Sequence, residues 1–312
     1  MDFLARRKYV SRNISTYAAL TLAMLVWGLS FIGTKIALTS FSPFVCIFLR
    51  FSLASVFFMA IMFLTGIPHL TVEQHKKLLL TALVQPGLYF AFETVGLTYT
   101  TASTASIILA LVPIVVLIMA RFMLKEEIAR HNVLGIILSV IGIIILVAGG
   151  SSGWSLQGYY LGNLLILGAV VSAALYMVLA RDLGKTLSSM QITSFQVLYG
   201  TAVFMPFFLY NLPSIKWAEA SWESYGAIVF LSVFCTIGGF LSYNYALTRI
   251  EASRASVFIN GIPVVTAVGA WFILGERLTL LQMAGGALVL LAVFITTISR
   301  RPTSQLQNTE AS

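Results

Sequence analysis

Predominantly apolar runs of roughly twenty residues, the length needed to cross a bilayer core, recur about ten times along this chain. They fall near residues 17–37, 43–65, 77–98, 102–121 and 132–149, then 158–180, 189–211, 222–246, 252–273 and 279–299. The runs are continuous and lack the alternation of barrel strands, so helices are expected. With 59% of its 312 residues hydrophobic and 10% charged, the chain has too little charge to coat a water-soluble fold. Twenty-two phenylalanines exclude disorder, and two cysteines exclude a disulfide scaffold. The fold class these observations define is all-α and polytopic: ten transmembrane helices with short connections.

The net charge of +8 would suit a nucleic-acid binder if the basic residues shared one face. Sorted by span they instead mark one side of the membrane. With the N-terminus inside, the inner segments hold Arg6, Arg7, Lys8, Arg12, Lys76, Lys77, Arg121, Lys125 and Arg130. Arg181, Lys185, Arg249, Arg254, Arg300 and Arg301 join them. Only Lys35, Arg50, Lys216 and Arg277 fall on the outer side. This is the positive-inside pattern, and it places both termini in the cytoplasm of a cell with a multi-pass plasma or inner membrane. The first run is long enough to span and lacks a small-x-small cleavage site, so it is expected to be a helix and not a signal peptide. Cys46 and Cys235 are expected as buried free thiols, and His69, His75 and His131 are scattered at cytoplasmic ends. The sequence shows no metal cluster, P-loop or catalytic-triad spacing, so neither a cofactor nor an enzymatic activity is expected.

The chain also repeats itself. LTYTTASTASIILALVPIVVLIMARFMLKEE from Leu97 lies over LTRIEASRASVFINGIPVVTAVGAWFILGER from Leu247. Ala102/Ala252, Ser103/Ser253, Ser106/Ser256, Pro113/Pro263, Glu126/Glu276 and Gly135/Gly285 coincide, among about fifteen identities in roughly fifty positions. The earlier spans match at an offset a few residues smaller. Two halves of five spans each, an odd number, must lie inverted in the membrane, the build of secondary transporters. The boundaries follow: a cytoplasmic segment 1–16, a first repeat 17–149, a second repeat 158–299 and a cytoplasmic tail 300–312.

WGLSFIGTKIAL (Trp27–Leu38), TTASTASIILALVPIVVLIMARFMLKEE and EASRASVFINGIPVVTAVGAWFILGER resemble the EamA type of the drug/metabolite transporter superfamily. The resemblance covers nearly the whole chain. It implies a five-plus-five inverted-repeat carrier with a central cavity, usually an exporter of small metabolites such as amino acids. Relatives also carry nucleotide sugars, sugar phosphates and drugs. The second copy of the Trp27 motif, around VVSAALYMVLARDL, lacks the tryptophan.

Arg50 and Glu93 stand out because a charge inside a span costs at least ~3 kcal/mol unless it is paired or wet. Each is expected roughly 8–10 Å below the outer end of its helix, either as a structural pair locking two helices or as two groups facing one polar cavity. Under the repeat, Arg50 falls on Gln196 and Glu93 on Tyr243, so the charged pair has neutral counterparts. Glu93 is the one candidate for proton coupling. Trp27, Tyr89, Tyr176, Tyr199, Asn244 and Asn260 complete the expected cavity, Asn260 opposing an apolar Ala110 in the repeat. Pro113 and Pro263 are expected to kink spans four and nine at mid-length. The A-S-x-A-S segments are expected to serve close helix packing, and Lys35 to snorkel to the rim. Trp154, Trp217 and Trp222 read as interfacial belt, and Glu126 and Glu276 as interfacial groups outside the transport machinery.

These features point to alternating-access transport of a small polar or amphipathic metabolite, amino acids first, with export as the direction the resemblance implies. The expected partners are that substrate, the lipid bilayer and protons. One cation and one anion suit a zwitterion better than a multiply charged phosphate. The rival outside this class is a structural or partner-binding membrane protein.

Overall fold

A computed structural model describes residues 2–124, 130–149 and 156–298, without side chains for 2–13, 120–124, 130–132, 156–157, 253–254, 293 and 296–298. Glu126, Lys125, Trp154 and the tail 300–312 therefore lie outside the described residues, as do the side chains of Arg6, Arg7, Lys8, Arg12, Arg121, Arg130, His131 and Arg254. Among the described residues every regular element is helical. Eight helices are long and apolar enough to cross a membrane: Ile14–Ala37, Pro43–Thr65, Val72–Gly96, Ala102–Met119, Gly158–Leu183, Ser189–Ser214, Trp222–Leu247 and Val257–Leu274. Val133–Ala148 and Leu280–Ala292 are shorter apolar helices. Phe63, Leu64, Tyr210, Trp222 and Leu280 are at least 80% exposed, which only a lipid surround makes favourable. The protein is a multi-pass membrane protein.

In chain order the helices are α1 (Asp2–Ala37), α2 (Pro43–Thr65), α3 (Val72–Ala82), α4 (Tyr89–Gly96), α5 (Ala102–Leu109), α6 (Val112–Leu124) and α7 (Arg130–Ala148). The second series is α8 (Leu156–Leu183), α9 (Ser189–Asn211), α10 (Trp222–Phe230), α11 (Phe240–Leu247), α12 (Ala252–Ser256), α13 (Ile262–Leu274) and α14 (Leu280–Ile298). The elements recur in order: α2 and α9 are both 23 residues long, α6 and α13 both 13, α7 and α14 both 19.

Several starts are written in S/T-x-x-Q. Thr71 with Gln74, Ser188 with Gln191 and Thr279 with Gln282 each exchange side-chain and backbone hydrogen bonds, so N–H groups at the helix start are satisfied. Thr71 accordingly begins the third span at Val72, five residues before the start expected from hydropathy.

Four spans expected to be continuous are interrupted, the eighth by a π-helical stretch, Leu231–Gly239. The third is interrupted by a π-helical stretch, Leu83–Leu88, in which Gln85 is extended (φ −147°, ψ 115°). A proline disfavours the helical region for the residue before it, and Gln85 precedes Pro86, to which it is joined by a cis peptide. The fourth is broken at Ala110–Leu111, and in the ninth a 3₁₀ turn, Val257–Gly261, precedes α13. Pro113 and Pro263 are thus not mid-helix kinks. Each sits in the first turn of a new helix, where its missing N–H costs nothing, and the bends lie just before them.

The halves interlock through small residues. Helices α7 and α14 make the most extensive contact in the fold. A Cβ added at Gly142 would come within 2.9 Å of the Gly285 carbonyl oxygen, so both glycines are needed for that approach.

Candidate functional site

A cavity lies between the halves, holding about 510 Å³ of empty space with its open mouth included. The first half contributes Trp27, Ser30, Phe31, Arg50, Gln85, Tyr89, Phe90, Glu93, Leu109 and Val112. The second contributes Ala173, Tyr176, Met177, Phe240, Ile259 and Ile262. Three of these interruptions reach it: Gln85 from the third span, Leu109 and Val112 around that in the fourth, and Ile259 and Ile262 around that in the ninth. Irregular backbone at membrane depth is tolerated where protein or a cavity surrounds it, and here it lines one.

Arg50 and Glu93 both face this cavity, and they are not locked together. The three ion pairs among the described residues are Lys77–Asp182, Lys185–Asp182 and Lys216–Glu219, all well exposed. The Arg50 Nε donates to Thr236 Oγ1 at 2.6 Å, and the guanidinium lies over the Phe90 ring, 4.5 Å from its centroid. Glu93 accepts from the Thr94 hydroxyl at 3.0 Å. Each charge is held by its own neighbours, at 4% and 1% exposure.

The halves reach into each other reciprocally at matched repeat positions. From the second half, Gln196 Nε2 donates to the Gln85 carbonyl at 3.0 Å. From the first half, Trp27 Nε1 donates to the Cys235 carbonyl at 3.1 Å. Gln85 and Cys235 are 150 residues apart, and both lie in π-helical stretches, the second being Leu231–Gly239. An over-wide turn frees a carbonyl from the helical ladder, and in each half a side chain of the other half takes it. Arg50, the repeat partner of Gln196, makes the matching reach to Thr236. Behind the wall, the Tyr176 hydroxyl donates to Asn244 Oδ1 at 2.6 Å, while Asn244 Nδ2 donates to Thr193 and Gln196.

Five of the expected cavity residues, Trp27, Arg50, Tyr89, Glu93 and Tyr176, line this space. Gln196 and Asn244 stand behind it in the hydrogen-bond network. Tyr243 packs 4.9 Å from the Trp27 ring and turns its hydroxyl to the Met177 sulfur at 3.3 Å. Asn260 lies in the 3₁₀ break, its Oδ1 buried without a partner and off the cavity wall. Cys46 and Cys235 are buried free thiols. The residue missed by sequence reasoning is Gln85; its signal was an amide side chain directly before a proline inside an apolar run.

The EamA-like transporter family matches residues 14–148 and again 160–298, one copy on each half of this architecture. The chain belongs to that family. An uncharacterized transporter of Archaeoglobus fulgidus is 32% identical over 89% of this chain and 97% of its own. The probable amino-acid metabolite efflux pump of Salmonella typhimurium is 27% identical over 88% and 92%. A solved crystal structure, 17% identical, shares the fold with a TM-score of 0.68 over 92% of this chain and 99% of its own.

In this EamA-like transporter one further contact ties the halves. Glu276, in the connection between α13 and α14, accepts from the Ala102 and Ser103 backbone N–H groups at 2.9 and 3.0 Å and from the Ser103 hydroxyl at 2.8 Å. A carboxylate from the second half thereby caps α5 in the first, whose far end, Leu109, lines the cavity. Lys35 stands within electrostatic reach of the same carboxylate. Glu276 is therefore a cross-half cap, a more specific role than the interfacial one expected for it.

Proposed function

We propose that this transporter carries a small zwitterionic or amphipathic metabolite, amino acids first, outward across the cell membrane by alternating access, with ten spans and both termini in the cytoplasm. The observation that carries the reading is the cavity between the halves, whose lining holds one guanidinium and one carboxylate that form no ion pair with each other, among aromatic side chains. A zwitterion has a charge for each, and its remainder meets Phe31, Phe90, Phe240 and Met177. Arg50 is the sole cation on the described lining, which favours a single carboxylate over a phosphate ester. Glu93, the sole acid there, is the group through which protons would couple to the cycle. The inversion of the two repeats, inferred from the odd number of spans, supplies two exchangeable conformations, and the helix breaks supply the places to bend.

Counterflow in proteoliposomes tests this. Vesicles loaded with unlabelled L-glutamine, L-methionine or L-leucine should accumulate the labelled amino acid saturably. Linear, unsaturable flux would indicate a channel, and no flux of any amino acid would remove the substrate assignment.

A further inference from the structure

Gln85 is buried, at 6% exposure, and it lines the cavity. Its carbonyl is committed to Gln196, yet its side-chain Oε1 is fully shielded and has no hydrogen-bond partner. Of the described side-chain amides with a buried unpartnered atom, Gln85, Asn163 and Asn260, Gln85 alone stands on the cavity wall. An unmade hydrogen bond at a shielded amide is costly, and it is retained here on the wall of a cavity. The extended backbone imposed by Pro86 turns this residue out of the helical ladder. Gln85, Tyr89 and Glu93 then form one lining stripe at four-residue spacing.

We infer that Gln85 is a specificity-determining residue, which reads a hydrogen-bonding group at the far end of a cargo whose charged head lies between Arg50 and Glu93. The inference rests on the zwitterion reading above and deepens it. The favoured cargo class is an amino acid whose side chain ends in an amide or hydroxyl, and an aliphatic or thioether end of equal length leaves the Gln85 amide unanswered.

L-glutamine and L-methionine, similar in length and different at the tip, are the probes. Counterflow in proteoliposomes should give the wild type a KM for glutamine about tenfold below that for methionine, the value of one good hydrogen bond. Gln85→Met should erase that ratio by raising the glutamine KM relative to the methionine KM. Gln85→Asn, which keeps a shorter amide, should retain part of the preference and serves also if Gln85→Met fails to fold. A ratio that is the same in wild type and folded variants, or a wild type that favours methionine, overturns the inference while leaving the zwitterion reading standing. A wild type that carries neither probe overturns both.

Discussion

Glu276→Gln removes a charge and one acceptor oxygen from a cap that holds three donors within 2.8–3.0 Å. Ala102 is fully buried and Ser103 nearly so, hence the N–H that loses its partner has no water to turn to. Orphaning one such donor costs about 1–3 kcal/mol. Losing the carboxylate at a helix N-terminus adds roughly 0.3–1 kcal/mol. Because Glu276 is only partly buried, the low half of that range applies, about 2 kcal/mol, or roughly 30-fold in an equilibrium. The cap joins the halves, so the loss falls on the conformation in which the face carrying the α13–α14 connection is closed. Ser30→Cys places a thiol on the cavity wall as a reporter. Its labelling by a charged, membrane-impermeant methanethiosulfonate, measured in oriented vesicles, should accelerate 10- to 30-fold from that face in Glu276→Gln. Labelling from the opposite face should slow. Glu276→Ala, which removes all three bonds, should show a larger effect. Unchanged labelling from both faces in both folded variants would refute a gating role for the cap and reduce Glu276 to a local helix stop.

Glu93→Gln keeps the acceptor for Thr94 and removes the charge opposite Arg50; transport should fall at least tenfold and its pH dependence should flatten, so a variant with both intact excludes Glu93 as the coupling carboxylate. Arg50→Lys retains a cation but cannot both lie flat on Phe90 and donate through a guanidinium Nε to Thr236, and the counterflow KM should rise about tenfold. Gly239→Ala would put a Cβ 2.5 Å from Trp27 Nε1, forcing the indole off the Cys235 carbonyl, and should cost about 1–3 kcal/mol in thermal unfolding in detergent. Gly226→Ala is its control: nothing lies within 4 Å, and stability should hold or rise by up to ~1 kcal/mol.

Hydropathy and the duplicated segment made the helical, two-repeat architecture legible, because both depend on patterns that single residues cannot disguise. The breaks were less so. Pro113 and Pro263 were visible, but a proline looks the same at mid-helix as in the first turn after a bend, and only the backbone before it decides. Pro86 carried the better signal, since the residue before a proline is forced from the helix, and in a membrane that makes Gln85 conspicuous. The Glu276 cap was beyond reach for another reason. Its partners are backbone N–H groups some 170 residues away, and backbone donors have no letter in the sequence.

The same limit applied to the reciprocal arms, and it explains why Arg50 and Glu93 were open to being read as a pair. Charge and depth left open either a pair or two groups facing one cavity. In the structure each π-helical stretch instead presents groups to the opposite half: the Gln85 carbonyl to Gln196, the Cys235 carbonyl to Trp27, and the Thr236 hydroxyl to Arg50. Arg50 is thereby held from the second half while its charge stays in the cavity. A locked Arg50–Glu93 pair would have neutralised both charges within the first repeat, leaving nothing for a zwitterion to bind. Tying the guanidinium to Thr236 makes its position depend on how the halves sit, so any rearrangement between them moves the cation relative to Glu93. The neutral Gln196 at the matching position does the same mechanical work without a charge. Only one of the two repeat-related arms carries a charge, so under the alternating-access proposal the two states would differ in affinity for an anionic group, the condition a ligand needs to bias an equilibrium between them.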